Sequence, residues 1–421
     1  MFLHQVTAMG LFIALGIFSE MPTDIITVES KDSKEEVAIK QDDSSARFAS
    51  KLFSAIDQHD NNNHVFSPFS IRDALGIVAL GAKGKTLDEM KKSLEFETSA
   101  IDSLPILKLY TPITDDKSDN TLPPIKRSTT IFVHDSTTIT EQFCKTIQPL
   151  SNVRIESFPK AKENISGLPN CFFEPNTKES ECLIFNTLNF SGLWAEPFSS
   201  VCHLPFHLND NKTVPAVFMR ETLSVHFKKF DDNFYVFTLP FKKQESSNEN
   251  FVMIFLVPQK IQEMKSLIKT LTSQNWGDCF NEIMATEKGK IRLFLPRFTI
   301  DALVDLKPVL NNLGIKQAFS VEADLSGILK GNALHIRDVI HKVHVEVDEY
   351  GVDASAETAV WVGTIGVGKK PLEVKADRPF LYFIYDSTNK QVLFMGQCNN
   401  PTIEGTIVPT SEDKIKISER F

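Results

Sequence analysis

VIHKVHVEVDEYG, residues 339–351, reads as a strand: valine and isoleucine recur along it and a glycine closes it. Small side chains follow in VDASAETA (352–359), then an apolar, glycine-bearing segment, VWVGTIGVGKKP (360–371). Two more strand-like runs close the region, RPFLYFIYD (378–386) and QVLFMGQ (391–397). Apolar residues normally leave loops. A strand feeding a small-residue segment and an exposed apolar loop is therefore an oddity, one that resolves if the loop is stored outside the fold and becomes a strand later.

Strand signals recur upstream at TTIFV (129–133), VRIESF (153–158), ECLIFNTLNF (181–190), FYVFTLPF (234–241), FVMIFLVP (251–258) and IRLFLPRF (291–298). Helical spacing begins near Ser44, with Phe48, Leu52, Phe53 and Ile56 on one face. In NHVFSPFSIRDALGIVALGA (63–82), Ser67 before Pro68 marks a helix start. Thr86 in KTLDEMKKSL (85–94) is the expected cap of a second short helix. Further helical patterns lie at EQFCKTI (141–147), KIQEMKSLIKTL (260–271) and VDLKPVLNNLG (304–314). Strands and helices are mixed without strict alternation, which is an α+β pattern.

The 421 residues include 33 phenylalanines against five tyrosines and three tryptophans, composition for a strand-rich core. A net charge of −9, with no basic stripe, argues against nucleic acid as a partner. Residues 8–18 form an apolar stretch too short to span a bilayer but suited to a secretory signal, placed at 1–19, although His4 is its only basic side chain. An acidic flexible leader (20–42), a single domain (43–403) and a polar carboxy-terminal extension (404–421) complete the expected layout, and no membrane association is expected. The six cysteines show no framework spacing, and Cys398 is expected as a buried thiol. Sequons at Asn164 and Asn211 are candidate glycosylation sites in polar loops; Asn189 also matches but lies in an apolar strand.

Other chemistry finds little support. GAKGKT (81–86) lacks the first glycine of a phosphate-binding loop, which would fall at Ala79. His341 and His344 sit three apart on a strand and so point to opposite faces, which makes them a poor chelating pair; no metal and no cofactor are expected.

From Ser44 to Pro401 the chain resembles the serpin family. EYGVDASAETA (349–359) resembles its hinge, ADRPFLYFI (376–384) its closing strands, and FMGQCNNP (394–401) its ending. FSPFSI (66–71), FNTLNFSGLWAEPF (185–198), LPRF (295–298), NNLGIKQAF (311–319) and ADLSGI (323–328) match in family order. The resemblance implies a serpin fold of about nine helices around three β-sheets, with an exposed reactive-centre loop at about 350–371. It implies a protease inhibitor and not an enzyme, so no catalytic residue is expected. It places a shutter at Ser67, Ser70, Asn186 and His341, a breach at Trp194, Arg297 and Glu349, and a hinge at Gly351, Val352, Asp353, Ala354, Ser355, Ala356, Glu357 and Thr358. Counting 16 residues on from Glu349 puts the reactive bond at Ile365–Gly366, within a window from Val362 to Lys370.

Strand alternation sharpens the hinge. On insertion Val352, Ala354, Ala356 and Thr358 would share one face, and both charges, Asp353 and Glu357, would fall on the other. No charge enters the inward set, where one would cost several kcal/mol. This pattern favours an inhibitor; with the apolar amino-terminal stretch, the resemblance implies a secreted monomer that forms a covalent complex with an elastase-like or other serine protease. Two rivals are a non-inhibitory serpin and a cross-class inhibitor of cysteine proteases. The first draws on the sheet-crossing segment around 159–180, which is shorter than is usual in the family and interrupted by Pro169 and Pro175. The absence of a basic ridge argues against activation by heparin-type polyanions.

Overall fold

The computed structural model describes residues 32–56, 62–96, 125–134, 136–158, 181–230, 234–243, 250–273, 276–330, 334–353, 371–403 and 406–408. Met1–Ile39 and Lys40–Phe421 form separate compact units; in the first only the start of one helix is described. The candidate sites Ala354–Thr358, Ile365, Gly366 and Asn164 lie outside the described residues. So do Cys171, the amino-terminal signal and the shortened crossing segment at 159–180.

Among the described residues the chain forms seven α-helices: α1 (Asp32–Ala55), α2 (Pro68–Ala79), α3 (Gly84–Ser93), α4 (Glu141–Ile147), α5 (Met264–Ser273), α6 (Trp276–Met284) and α7 (Lys307–Leu313). Two 3-10 turns lie at Ile261–Glu263 and Gln317–Phe319. The first sheet runs β17 (Thr406–Val408), β11 (Phe298–Asp305), β12 (His335–Val347), β4 (Glu181–Phe190), β2 (Ile125–Val133), β3 (Val153–Ser157), with the short β5 (Gly192–Leu193) and β13 (Gly351–Val352) at one end. The second runs β1 (His64–Phe66), β16 (Gln391–Cys398), β15 (Phe380–Asp386), β9 (Phe251–Pro258), β8 (Phe234–Pro240), β7 (Lys212–Phe230), β10 (Lys288–Pro296), β14 (Leu372–Lys375), with β6 (Ser200–Asn209) also on β7. The 19-residue β7 hinges this assembly: its far end, Phe227–Phe230, pairs with β8, and its earlier part pairs with β6 and β10. The strands therefore divide into three pairing groups, an α+β architecture.

β9 and β15 read as continuous apolar runs because both their faces are covered. Val252, Ile254 and Leu256 join one core with Leu381, Phe383 and Tyr385, under α1, α2, α5 and α6. The alternate residues Met253, Phe255, Val257, Phe380, Tyr382 and Ile384 join a second core, shared with Val343, Val345 and Val347 of β12. Each large side chain so buried contributes about 1.5–3 kcal/mol.

Several local expectations are revised. α1 starts at Asp32 and not near Ser44, so the residues expected as a flexible leader are in part helical; KEEVAIKQ is rich in good helix formers. Lys83, not Thr86, caps α3, whose first residue Gly84 has φ +49; the Thr86 hydroxyl is buried and accepts from the Asp324 amide (2.9 Å). The region beyond residue 403 is not wholly an extension outside the fold, since β17 pairs in parallel with β11 along Ala302–Val304. A Thr-Ile-Val run beside an unpaired edge has the β-branched composition for that. Cys182 and Cys398 are buried thiols, as the apolar surroundings of Cys398 predict.

Candidate functional site at the mouth of the eight-stranded sheet

β12 and β4 lie side by side in parallel, paired from His335↔Glu181 to His344↔Asn189. No strand separates them over that length. Beyond His344 they diverge, and β13 enters between β12 and β5: Val352 pairs with Val347 on one side, and Gly351 and Val352 pair with Leu193 and Gly192 on the other. The first two hinge residues thus already occupy a strand position. Val352 is fully buried, on the inward face that the alternation predicts.

A tight turn feeds β13. The Asp348 carboxylate accepts from the amides of Tyr350 (2.8 Å) and Gly351 (3.0 Å), and the Asp348 amide donates to the Gly351 carbonyl (3.0 Å). Gly351 is required by close approach, because a Cβ there would stand 2.0 Å from the Gly192 carbonyl oxygen. Trp194 closes the end of the sheet: its amide donates to Tyr350 O (2.7 Å) and its indole N–H to Asp348 O (2.9 Å), and its ring stacks on Phe241 at 4.8 Å. Arg297 pairs with Glu349, as the resemblance implied. The Arg297 side chain is 46% exposed, so this pair is screened and worth at most about 1 kcal/mol.

Asp353 ends the inserted piece. Its φ of +46 turns the chain out of the strand conformation. Its amide donates to the Glu346 carbonyl (3.0 Å), while the Glu346 amide donates to the Asp353 carboxylate (3.1 Å) instead of its carbonyl, which accepts from the Ser191 hydroxyl (2.9 Å). A side chain thus fills the place of the next rung. Burial pushes the Asp353 carboxyl up to about 6; His344 and the Glu346 amide oppose the rise, and the charges of Glu346 and Asp301 add to it.

Lower down, the four shutter residues meet as the resemblance placed them. Ser67 caps α2, its hydroxyl accepting from the Ser70 amide (3.0 Å), and Pro68 starts the helix. The Ser67 amide donates to His341 Nε2 (3.0 Å), so the proton sits on Nδ1 and is donated to Asn186 Oδ1 (2.8 Å). That oxygen also accepts from the Ser70 hydroxyl (2.8 Å), and the Asn186 amide group donates to the Thr129 hydroxyl (3.1 Å). His341 and Asn186 are register partners across the β12–β4 seam, and all five residues are buried. Burial pulls the imidazole down to about 3, with the Asn186 contact acting against it. Thr129 was not anticipated: its hydroxyl completes the network from the neighbouring β2, a cross-strand relation that spacing along the chain does not carry.

Residues 43–401 match the family described as Serpin (serine protease inhibitor). The chain is a serpin. Members of this family are protease inhibitors and not enzymes in the catalytic sense. A "Serine protease inhibitor" of Cyanea capillata is 28% identical over 357 residues, covering 80% of this chain and 92% of the relative. The "Leukocyte elastase inhibitor" of Bos taurus is 29% identical over 379 residues, covering 84% and 98%. The native stressed conformation of Arabidopsis AtSerpin1 superposes with a TM-score of 0.72 at 23% identity, over 89% of this serpin and all of that chain, a likeness of fold. Among the other predicted positions, Asn211 is exposed in the turn between β6 and β7, its amide donating to Asn209 Oδ1 (3.0 Å).

Proposed function

We propose that this serpin is a secreted inhibitor that traps serine proteases by suicide inhibition. The protease's serine attacks the reactive loop, an acyl-enzyme forms, and the freed loop enters the sheet as a new strand between β12 and β4. The observation that carries this reading is the two-residue start of that strand, β13, already seated at the mouth of a seam with no strand between its edges.

Extending the Val347↔Val352 register brings Asp353 opposite Glu346, Ser355 opposite His344 and Thr358 opposite His341. Val352, Ala354, Ala356 and Thr358 then face inward with Val347, Val345, Val343 and His341, all buried. The inserting side chains are small or apolar, and the strand would reach the shutter at Thr358, a residue that can hydrogen-bond. Val352 to Ile365 would span about 46 Å at roughly 3.3 Å per residue. The apolar stretch around Ile365–Gly366 suits an enzyme with a modest apolar specificity pocket, and the elastase inhibitor among the relatives points the same way.

The test is incubation of the chain with an elastase. A covalent complex that survives boiling in detergent is expected, together with a small carboxy-terminal fragment beginning at Gly366. Ala356→Arg puts a charge in the inward set and should turn the inhibitor into a cleaved substrate. Cleavage without any stable complex across a panel of serine and papain-type proteases would replace this reading with the non-inhibitory one. A complex formed only with the papain-type enzymes would favour the cross-class reading.

A further inference from the structure

His344, Glu346 and Asp353 meet where the β12–β4 pairing ends. Alternation along β12 buries Val343, Val345 and Val347 and leaves His344 and Glu346 on the outer face, where Asp353 arrives from the hinge. One ligand-type atom from each of the three lies within 4.8 Å of the others. His344 Nε2 stands 3.4 Å from Asp353 Oδ1 and 4.0 Å from Glu346 Oε2. A tetrahedral centre with bonds of about 2.0–2.2 Å holds its ligand atoms about 3.3–3.6 Å apart, so little closure is needed.

The imidazole is also oriented. Asp301, its register partner on β11, accepts from His344 Nδ1 at 2.6 Å, which leaves Nε2 facing the two carboxylates. A ligating histidine typically donates its other ring N–H to a carboxylate in this way. The three carboxylates share one imidazole, and a cation between Nε2 and the two nearer carboxylates would relieve their mutual repulsion. His341, the nearer of the strand's other two histidines, is buried on the opposite face and takes no part.

We propose that His344 Nε2, Glu346 and Asp353 form a binding site for a divalent transition cation of the zinc class, with Asp301 as the carboxylate that orients the imidazole. Two ligands come from a fixed strand and the third is the hinge residue whose carboxylate fills the place of the next rung. The bound cation pins Asp353 in its left-handed conformation, opposes extension of β13, and diverts cleaved loop toward substrate turnover. This regulatory consequence rests on the insertion mechanism proposed above; the site does not.

The untagged full chain is titrated with Zn²⁺ by calorimetry and with Co²⁺ by visible absorption. One equivalent should bind with micromolar affinity, and Co²⁺ should show d–d bands of a low-coordinate nitrogen–oxygen site. Asp353→Asn and His344→Ala should abolish both signals with the melting curve retained, and Asp301→Asn should weaken binding about 10–100-fold. No saturable binding, as expected of a plain ion-pair cluster, or binding unchanged in Asp353→Asn and His344→Ala, overturns the site. With Zn²⁺ present, the inhibitor-to-protease ratio needed for full inhibition should rise in the wild type and stay constant in Asp353→Asn. An unchanged wild-type ratio at saturating Zn²⁺ overturns the regulatory role. Zn²⁺ binding without any protease trapping would leave the site standing and remove the inhibitory reading instead.

Discussion

The shutter and the mouth guard the same seam between β12 and β4 by opposite means. At the shutter, Ser67, Ser70, Thr129, Asn186 and His341 are dry, and their hydrogen bonds interlock. Parting the strands there strands several polar groups at once, at about 1–3 kcal/mol each. At the mouth the strands have already diverged, and the closure is a half-exposed ion pair, a two-residue strand and an aspartate latch. Opening is therefore cheaper at the mouth, and a strand entering from that end can exchange rung for rung before it meets the costly network. On the proposed insertion mechanism, the shutter would set how firmly the sheet stays closed, and the mouth where it opens.

The largest expected effect comes from breaking the shutter. Asn186→Ala removes the group shared by Ser70, His341 and Thr129, and should cost the uncleaved form about 3–5 kcal/mol in urea unfolding. A loss below about 1 kcal/mol would show that the network is not what holds the seam.

Acid should reach the same network. His341 has its folded-state pKa lowered to about 3, against 6.5 for an unperturbed imidazole, so the unfolded chain takes up this proton first as pH falls. Its contribution is complete above about pH 6.5 and is lost progressively toward pH 3, at about 1.4 kcal/mol per unit. Between pH 6.5 and 5 the loss should be about 2 kcal/mol, measured by unfolding at each pH. His341→Asn, compared at the same pH values, should show a shallower slope; an equal slope would assign the acid sensitivity elsewhere.

At the mouth, Gly351→Ala forces a methyl group onto the Gly192 carbonyl and should expel β13 at a cost of about 1–3 kcal/mol. Trp194, which hydrogen-bonds to the Asp348–Tyr350 turn, should report this by a change in fluorescence that is absent in Asn186→Ala. Arg297→Ala should have the smallest effect, at most about 1 kcal/mol and fading with salt, because its partner Glu349 also remains held through its backbone by the Phe198 amide. A loss as large as that of Asn186→Ala would erase the distinction between the two regions.

Much of this was legible in the sequence. The strand runs at 129–133, 153–158, 181–190, 234–241 and 251–258 all appear as strands, because continuous apolar or β-branched runs bounded by polar turns have few other ways to be buried. α6 and the β6–β7 hairpin were not anticipated. α6 is a short amphipathic helix of nine residues, and β6 and β7 carry exposed, mixed residues whose pairing depends on partners far along the chain. Shutter and breach positions followed from order-preserving motifs, whereas their hydrogen-bond roles did not.

The amino-acid sequence by itself determined the family, the α+β class and the capping of α2 by Ser67, since each is carried by local motifs and spacing. Tertiary structure alone decided that the hinge is inserted by two residues, that Asp353 halts it in a left-handed turn, and that His344 faces Asp353 and Glu346 with Asp301 behind it. Those facts depend on where β4, β5, β11 and β12 bring distant backbones together, and hydrogen bonds between separate strands leave no periodic trace in either strand's own residues.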